Sequence, residues 1–161
     1  MIKRVSILLI LIIIFTSFPA WALNTAEIRE DSGTVTGFIT NQGLTISGDY
    51  GINNQWAMIA KFGTPLTRLG AKYQLQSNLS LLMGLTENSP FFGVNGDHQF
   101  TRDLTGVYEV SLSAPRQEPS LFYELGFILD IEQEVDLRAG IAGFIESGSF
   151  PYLQLGVGYQ F

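Results

Sequence analysis

The chain has 161 residues, 46% of them apolar and only 15% charged, with nine Lys or Arg, fifteen Asp or Glu, one His and no Cys. The lack of Cys excludes a disulfide scaffold and thiolate metal sites, and a single His excludes a His-rich one. A net charge of −6, with no basic run after the first few residues, argues against nucleic acid as a partner.

Residues 1–22 read as a cleaved secretory signal peptide. Lys3 and Arg4 form its basic start, residues 7–15 its apolar stretch, and Ala20-Trp21-Ala22 a small-x-small cleavage site. The apolar stretch is short for a membrane helix of about 20 residues, and Pro19 follows it closely. Residues 23–32 are then a short N-terminal segment ahead of a domain spanning 33–161.

From there on the chain has period two. Residues 33–40 alternate imperfectly. Leu44, Ile46 and Tyr50 then oppose Thr45, Ser47 and Asp49, and Trp56, Met58, Ala60 and Phe62 oppose Gln55, Ala57, Ile59 and Lys61. Leu69, Ala71, Tyr73 and Leu75 oppose Arg68, Gly70, Lys72 and Gln74; Leu79, Leu81, Met83 and Leu85 oppose Ser80, Leu82, Gly84 and Thr86. Residues 91–100 are again imperfect and rich in Gly, Asn and Asp. Tyr108, Val110 and Leu112 oppose Glu109, Ser111 and Ser113, and Leu121 to Ile131 at odd numbers oppose Phe122, Glu124, Gly126, Ile128 and Asp130. Val135, Leu137, Ala139 and Ile141 oppose Asp136, Arg138, Gly140 and Ala142, with Glu146 closing the second face. Leu153, Leu155, Val157, Tyr159 and Phe161 oppose Gln154, Gly156, Gly158 and Gln160.

Residues i and i+2 share a sheet face, so each run is a strand with one apolar and one polar or small side. Short polar turns between them predict antiparallel hairpins in sequence, an up-and-down meander. Counting both imperfect runs gives ten strands; dropping both gives eight and one long connection. Ten is preferred, because a long structureless connection is out of keeping with the short ones elsewhere.

Alternation alone fits either a soluble lipocalin-like barrel holding a hydrophobic ligand or a transmembrane barrel with the faces exchanged. The apolar faces carry no charge, while Asp49, Lys61, Arg68, Lys72, Glu109, Glu124, Asp130, Asp136, Arg138 and Glu146 all lie on the other side. That side is also crowded with Ala57, Gly70, Gly84, Gly126, Gly140, Ala142, Gly156 and Gly158, which a solvated exterior does not need but a narrow lumen does. Aromatic residues recur near strand ends of the apolar face, as in the girdles of membrane barrels: Tyr50, Trp56, Phe62, Tyr73, Phe92, Tyr108, Tyr123, Tyr159 and Phe161. The expectation is an all-β, up-and-down antiparallel transmembrane barrel in contact with the lipid bilayer.

The final strand, Gln154-Leu155-Gly156-Val157-Gly158-Tyr159-Gln160-Phe161, resembles the C-terminal insertion signal of bacterial outer-membrane β-barrels, with Gly156, Tyr159 and Phe161 at the matching positions. By size the chain is similar to small barrels of the OmpX/OmpA type. The resemblance implies export to the cell outer membrane of a bacterium, periplasmic chaperones, and insertion by the barrel assembly machinery. It also implies that both termini, and so residues 23–32, lie in the periplasm. The outer loops are then short, which disfavours an adhesin.

His98 is the sole histidine. A lipid-modifying enzyme of the outer membrane would need a Ser partner, but no His-x-Ser or Gly-x-Ser-x-Gly motif occurs, and no catalytic residue is assigned. The lumen charges admit two readings. Lys61, Arg68 and Lys72 form a basic stripe that can pair across the lumen with the later carboxylates and plug it. Alternatively, the opposed charges line a narrow passive pore. A calcium site among the carboxylates lacks the loop spacing of a dedicated one and ranks low. No cofactor or metal is expected.

Overall fold

The computed structural model describes residues 24–40, 43–63, 66–87, 89–113, 119–145 and 150–161. Ten strands follow one another: β1 (Gly33–Thr40), β2 (Gly43–Gly51), β3 (Trp56–Gly63), β4 (Arg68–Gln76), β5 (Leu79–Thr86), β6 (Ser89–Gln99), β7 (Leu104–Ser113), β8 (Ser120–Asp130), β9 (Val135–Phe144) and β10 (Tyr152–Gln160). Each pairs antiparallel with its sequence neighbours, and β1 pairs with β10 to close the barrel. Ten strands, rather than eight, is therefore the architecture. The predicted signal peptide and parts of the loops at 41–42, 63–65, 88–90, 115–119 and 147–150 lie outside the described residues.

The two imperfect runs are β1 and β6, and each breaks the pattern for a packing reason. Phe38 of β1 points inward and is buried, its ring lying against Gly156, its directly paired residue on β10. A Cβ at position 156 would overlap that ring, so glycine there makes room for an aromatic side chain inside a narrow tube. In β6, Phe91 likewise points inward, and outward Gly96 lies beneath the ring of its paired residue Tyr108.

The faces are sorted as a lipid-facing barrel requires. In β10, Gln154 is 1% exposed while its neighbours Leu155 and Val157 are 37% and 53% exposed. Ile46, Leu69, Leu85, Val110, Leu125, Phe127 and Leu137 are exposed in the same way around the wall, as are girdle residues Tyr50, Trp56, Phe62, Phe92, Tyr108, Tyr159 and Phe161. A soluble barrel holding an apolar ligand would have these side chains inside. Lys61, Arg68, Lys72, Glu124, Asp136 and Arg138 are instead the buried ones. An apolar belt of this extent in water would be a large exposed patch, and in a bilayer it meets hydrocarbon while the closed ladder leaves no unpaired edge.

Candidate functional site

Between the rims of such a barrel, polar side chains collect in the lumen, where the strands direct them inward. Inward positions alternate along every strand, and closure brings β2–β4 opposite β7–β10. Four ion pairs result among the described lumen residues. Lys61 Nζ lies 3.3 Å from Glu124 Oε2, Arg68 Nη1 donates to Glu109 Oε1, Lys72 Nζ lies 2.7 Å from Asp49 Oδ2, and Arg138 Nε lies 2.6 Å from Asp136 Oδ1. Further bonds tie these pairs together: Arg68 Nη2 donates to Ser111 Oγ at 3.3 Å, and Gln154 Nε2 to Glu124 Oε1 at 2.8 Å. Charges removed from water persist only when so paired.

The basic stripe thus meets the later strands through Lys61 and Arg68, whereas Lys72 turns to Asp49 on β2 and Arg138 finds Asp136 two residues away on its own strand. Asp130 ends β8 at the rim, exposed, and belongs to none of the four pairs. Glu146 lies outside the described residues. His98 points outward, edge-on to Phe100 at 5.0 Å between ring centres, while adjacent Asp97 points inward. Strand alternation therefore keeps the two apart.

Toward the end of the barrel away from the termini, the ion pairs lean on rings. The Arg68 guanidinium sits 4.7 Å from the Phe91 ring centre and 4.8 Å from that of Phe122, and Lys61 Nζ 5.5 Å from Phe122. Cations over ring faces gain electrostatically from the ring quadrupole. Leu66, Phe122 and Ala142, with Phe144 and Tyr152 packed against them, complete an apolar layer across the lumen.

The termini-side half holds a feature that the strand pattern does not reveal. The segment before β1 enters the barrel instead of lying outside it. Asn24 O accepts from Asn95 Nδ2 at 3.0 Å, Thr25 O from Lys72 Nζ at 3.0 Å, and Ala26 O from Ser80 Oγ at 2.7 Å. Ala26 N donates to Asp97 Oδ2 and Ile28 N to Gln74 Oε1, while Arg138 Nη1 donates to Asn24 Oδ1. Ala26 and Ile28 are buried and Glu27 is exposed between them, a hint of alternation too short to stand out in the sequence. Ser80, Asn95 and Gln154 had a usable signal, since all three are polar residues on inward positions.

Two cavities flank this segment. A vestibule of about 540 Å³ opens at the termini side, bordered by Asp49, Lys72, Asp97, Asp130, Glu134 and Arg138 among others. Beside it Arg29 and Glu27 pair at 3.1 Å, and that hydrogen bond, then the carboxylate charge, holds the Arg29 guanidinium above its ordinary value. Deeper in, a cavity of about 30 Å³ is bordered by Asn24, Ser47, Lys61, Arg68, Lys72 and Asn95.

The closed ladder, apolar exterior and charged interior define a ten-stranded barrel of transmembrane type. In keeping with this, the chain is similar in fold to the KdgM porin, at a TM-score of 0.50 and 11% identity over 81% of this chain and 99% of that one. The KdgM porin in complex with disordered oligogalacturonate matches at a TM-score of 0.50 and 12% identity, over the same shares. A chain from de novo design of transmembrane β-barrels aligns at a TM-score of 0.45 and 9% identity, over 84% of this chain and 99% of that one. No protein-family model matches the sequence, and no curated protein does.

Proposed function

We propose that the protein is a non-enzymatic β-barrel of the bacterial outer membrane with a structural role in the envelope, its lumen closed in this state. The observation that carries this reading is the filling of the tube at two successive levels, the ion-pair layer and the layer of Phe38, Phe91 and Phe122, with the segment 24–28 occupying part of the level below them. A passive pore needs a continuous water path, and here the cavity at the level of the ion pairs has room for only about two waters. Planar-bilayer recordings of the refolded barrel are expected to show no discrete conductance steps; steps of uniform size would overturn the closed reading. The pore is the second reading, favoured by the vestibule and by the fold shared with a protein named a porin.

Location and biogenesis belong to the same proposal. Residues 1–22 are removed on export, and Gly156, Tyr159 and Phe161 are read by the barrel assembly machinery. The last of these caps the closing seam, since Phe161 N and O bond Gly33 O and N at 3.0 and 2.8 Å. Removing Phe161 should lower the fraction of heat-modifiable, membrane-embedded protein, and N-terminal sequencing of that fraction should begin at Leu23.

A further inference from the structure

The segment in the lumen is held by its backbone. Five main-chain groups of residues 24–28 (the carbonyls of Asn24, Thr25 and Ala26 and the amides of Ala26 and Ile28) bond side chains of the barrel wall. Wall contacts of this kind select for an extended chain and a small residue at the centre, where Ala26 is wholly buried, and are indifferent to most side chains. The entrance is shaped for a chain as well. Where the segment crosses β2, Arg29 O lies so close over Gly51 that no side chain fits, and Gly51 N donates to Ser32 O at 2.8 Å.

The small cavity beside Asn24 borders the same seat. It is bordered by Ser47, Arg68 and Asn95, all more than nine-tenths buried, and each holds a polar atom without a partner: Ser47 Oγ, Arg68 Nε and Asn95 Oδ1. Asn95 Nδ2 is already spent on Asn24 O and Tyr108 O, so Asn95 Oδ1 is free as an acceptor. Together these atoms can both donate to and accept from a peptide unit, with its N–H and C=O. An inorganic anion would leave Asn95 Oδ1 unsatisfied and add charge to a layer whose ion pairs already balance.

We infer that the termini-side half of the lumen is a binding site for an extended polypeptide, occupied in this state by the chain's own residues 24–28. When vacated, it takes a peptide in trans, and the chain's own segment is its intramolecular competitor. The inference rests on the closed-barrel reading, and its test reads binding instead of current.

Two variants empty the seat: deletion of residues 24–28, and Ala26→Phe in the full chain. The probe is a fluorescent peptide with the sequence of residues 24–29 and an acetylated N-terminus, followed by anisotropy on refolded protein whose folding is verified by heat-modifiable gel mobility. Saturable binding to either variant, with affinity for the intact barrel at least about tenfold weaker because its seat is filled, is the expected result. Phe in place of the central Ala should weaken the peptide by about tenfold or more through overpacking. Folded variants that bind no peptide, or bind the Ala and Phe peptides equally, would overturn the site while leaving the closed-barrel reading intact. Failure of both variants to fold would also overturn it, because the segment would then be a fixed part of the core and no exchangeable occupant.

Discussion

The outer wall and the lumen are built by the same strands from alternate residues, yet they obey different physics. Outside, Leu125, Leu137, Leu155 and Val157 need only be apolar, because lipid hydrocarbon conforms to whatever shape they present. Inside, Glu124 must meet Lys61 and Gln154, and Gly156 must yield to Phe38, because fixed protein neighbours do not reshape themselves around a poor fit. Sequence is therefore loosely constrained on one face and tightly on the other. Adjacent positions on a single strand make the contrast measurable.

The sharpest break is Glu124→Ala. It leaves the Lys61 ammonium buried without its carboxylate, and equilibrium urea unfolding in lipid vesicles should register a loss of about 3–5 kcal/mol. Replacing both partners with apolar residues, Lys61→Met with Glu124→Leu, should recover part of it, since the stranded charge is gone while Gln154 Nε2 still lacks its acceptor. If the double variant is no better than the single, the partner's desolvation is not the dominant cost.

One position along β8, Leu125→Arg attacks the other face. Its expected loss is about 2–4 kcal/mol near the bilayer midplane, from charge placed in hydrocarbon. Leu125→Val should be nearly silent by the same assay, whereas no comparably small change is tolerated at Glu124. A large effect of Leu125→Val would indicate that a protein surface, and not lipid, covers this part of the wall.

What the sequence discloses, and what it conceals, follows from the same contrast. The wall could be read because apolarity at every second residue is a statistical pattern: Leu153, Leu155 and Val157 declare a face whatever their partners are. The direction of that face followed from Gly156 and Gly158 opposite them. Individual lumen partners could not be read, because Lys72 reaches Asp49 and Arg138 reaches Asp136 through side-chain lengths and barrel curvature that no spacing encodes. Residues 24–28 read in the sequence only as part of the short segment 23–32 ahead of the barrel. Their alternation covers only Ala26 and Ile28, and their bonds are made by backbone groups that every sequence possesses.

Gly156→Ala tests the lumen by shape alone. The added Cβ overlaps the buried Phe38 ring and the Gly37 carbonyl oxygen, so overpacking should cost about 1–3 kcal/mol. Outward Gly37 faces open space, and Gly37→Ala should be neutral or slightly stabilising through reduced freedom of the unfolded chain. Similar losses at both positions would mean that the two faces are not as differently packed as the geometry requires.

The gentlest probe is Ser80→Ala. Ser80 Oγ is buried and donates to Ala26 O, and its removal changes neither charge nor volume appreciably. The carbonyl of Ala26 is then left in the lumen without that donor, and about 1 kcal/mol should be lost. Because the bond joins the wall to the segment and to no other strand, the loss should fall on the plug alone. Hydrogen exchange at the amides of Ala26 and Ile28 should accelerate about fivefold, while exchange in β8 and β9 stays unchanged. Uniform acceleration across the barrel would instead make the segment one cooperative unit with the wall.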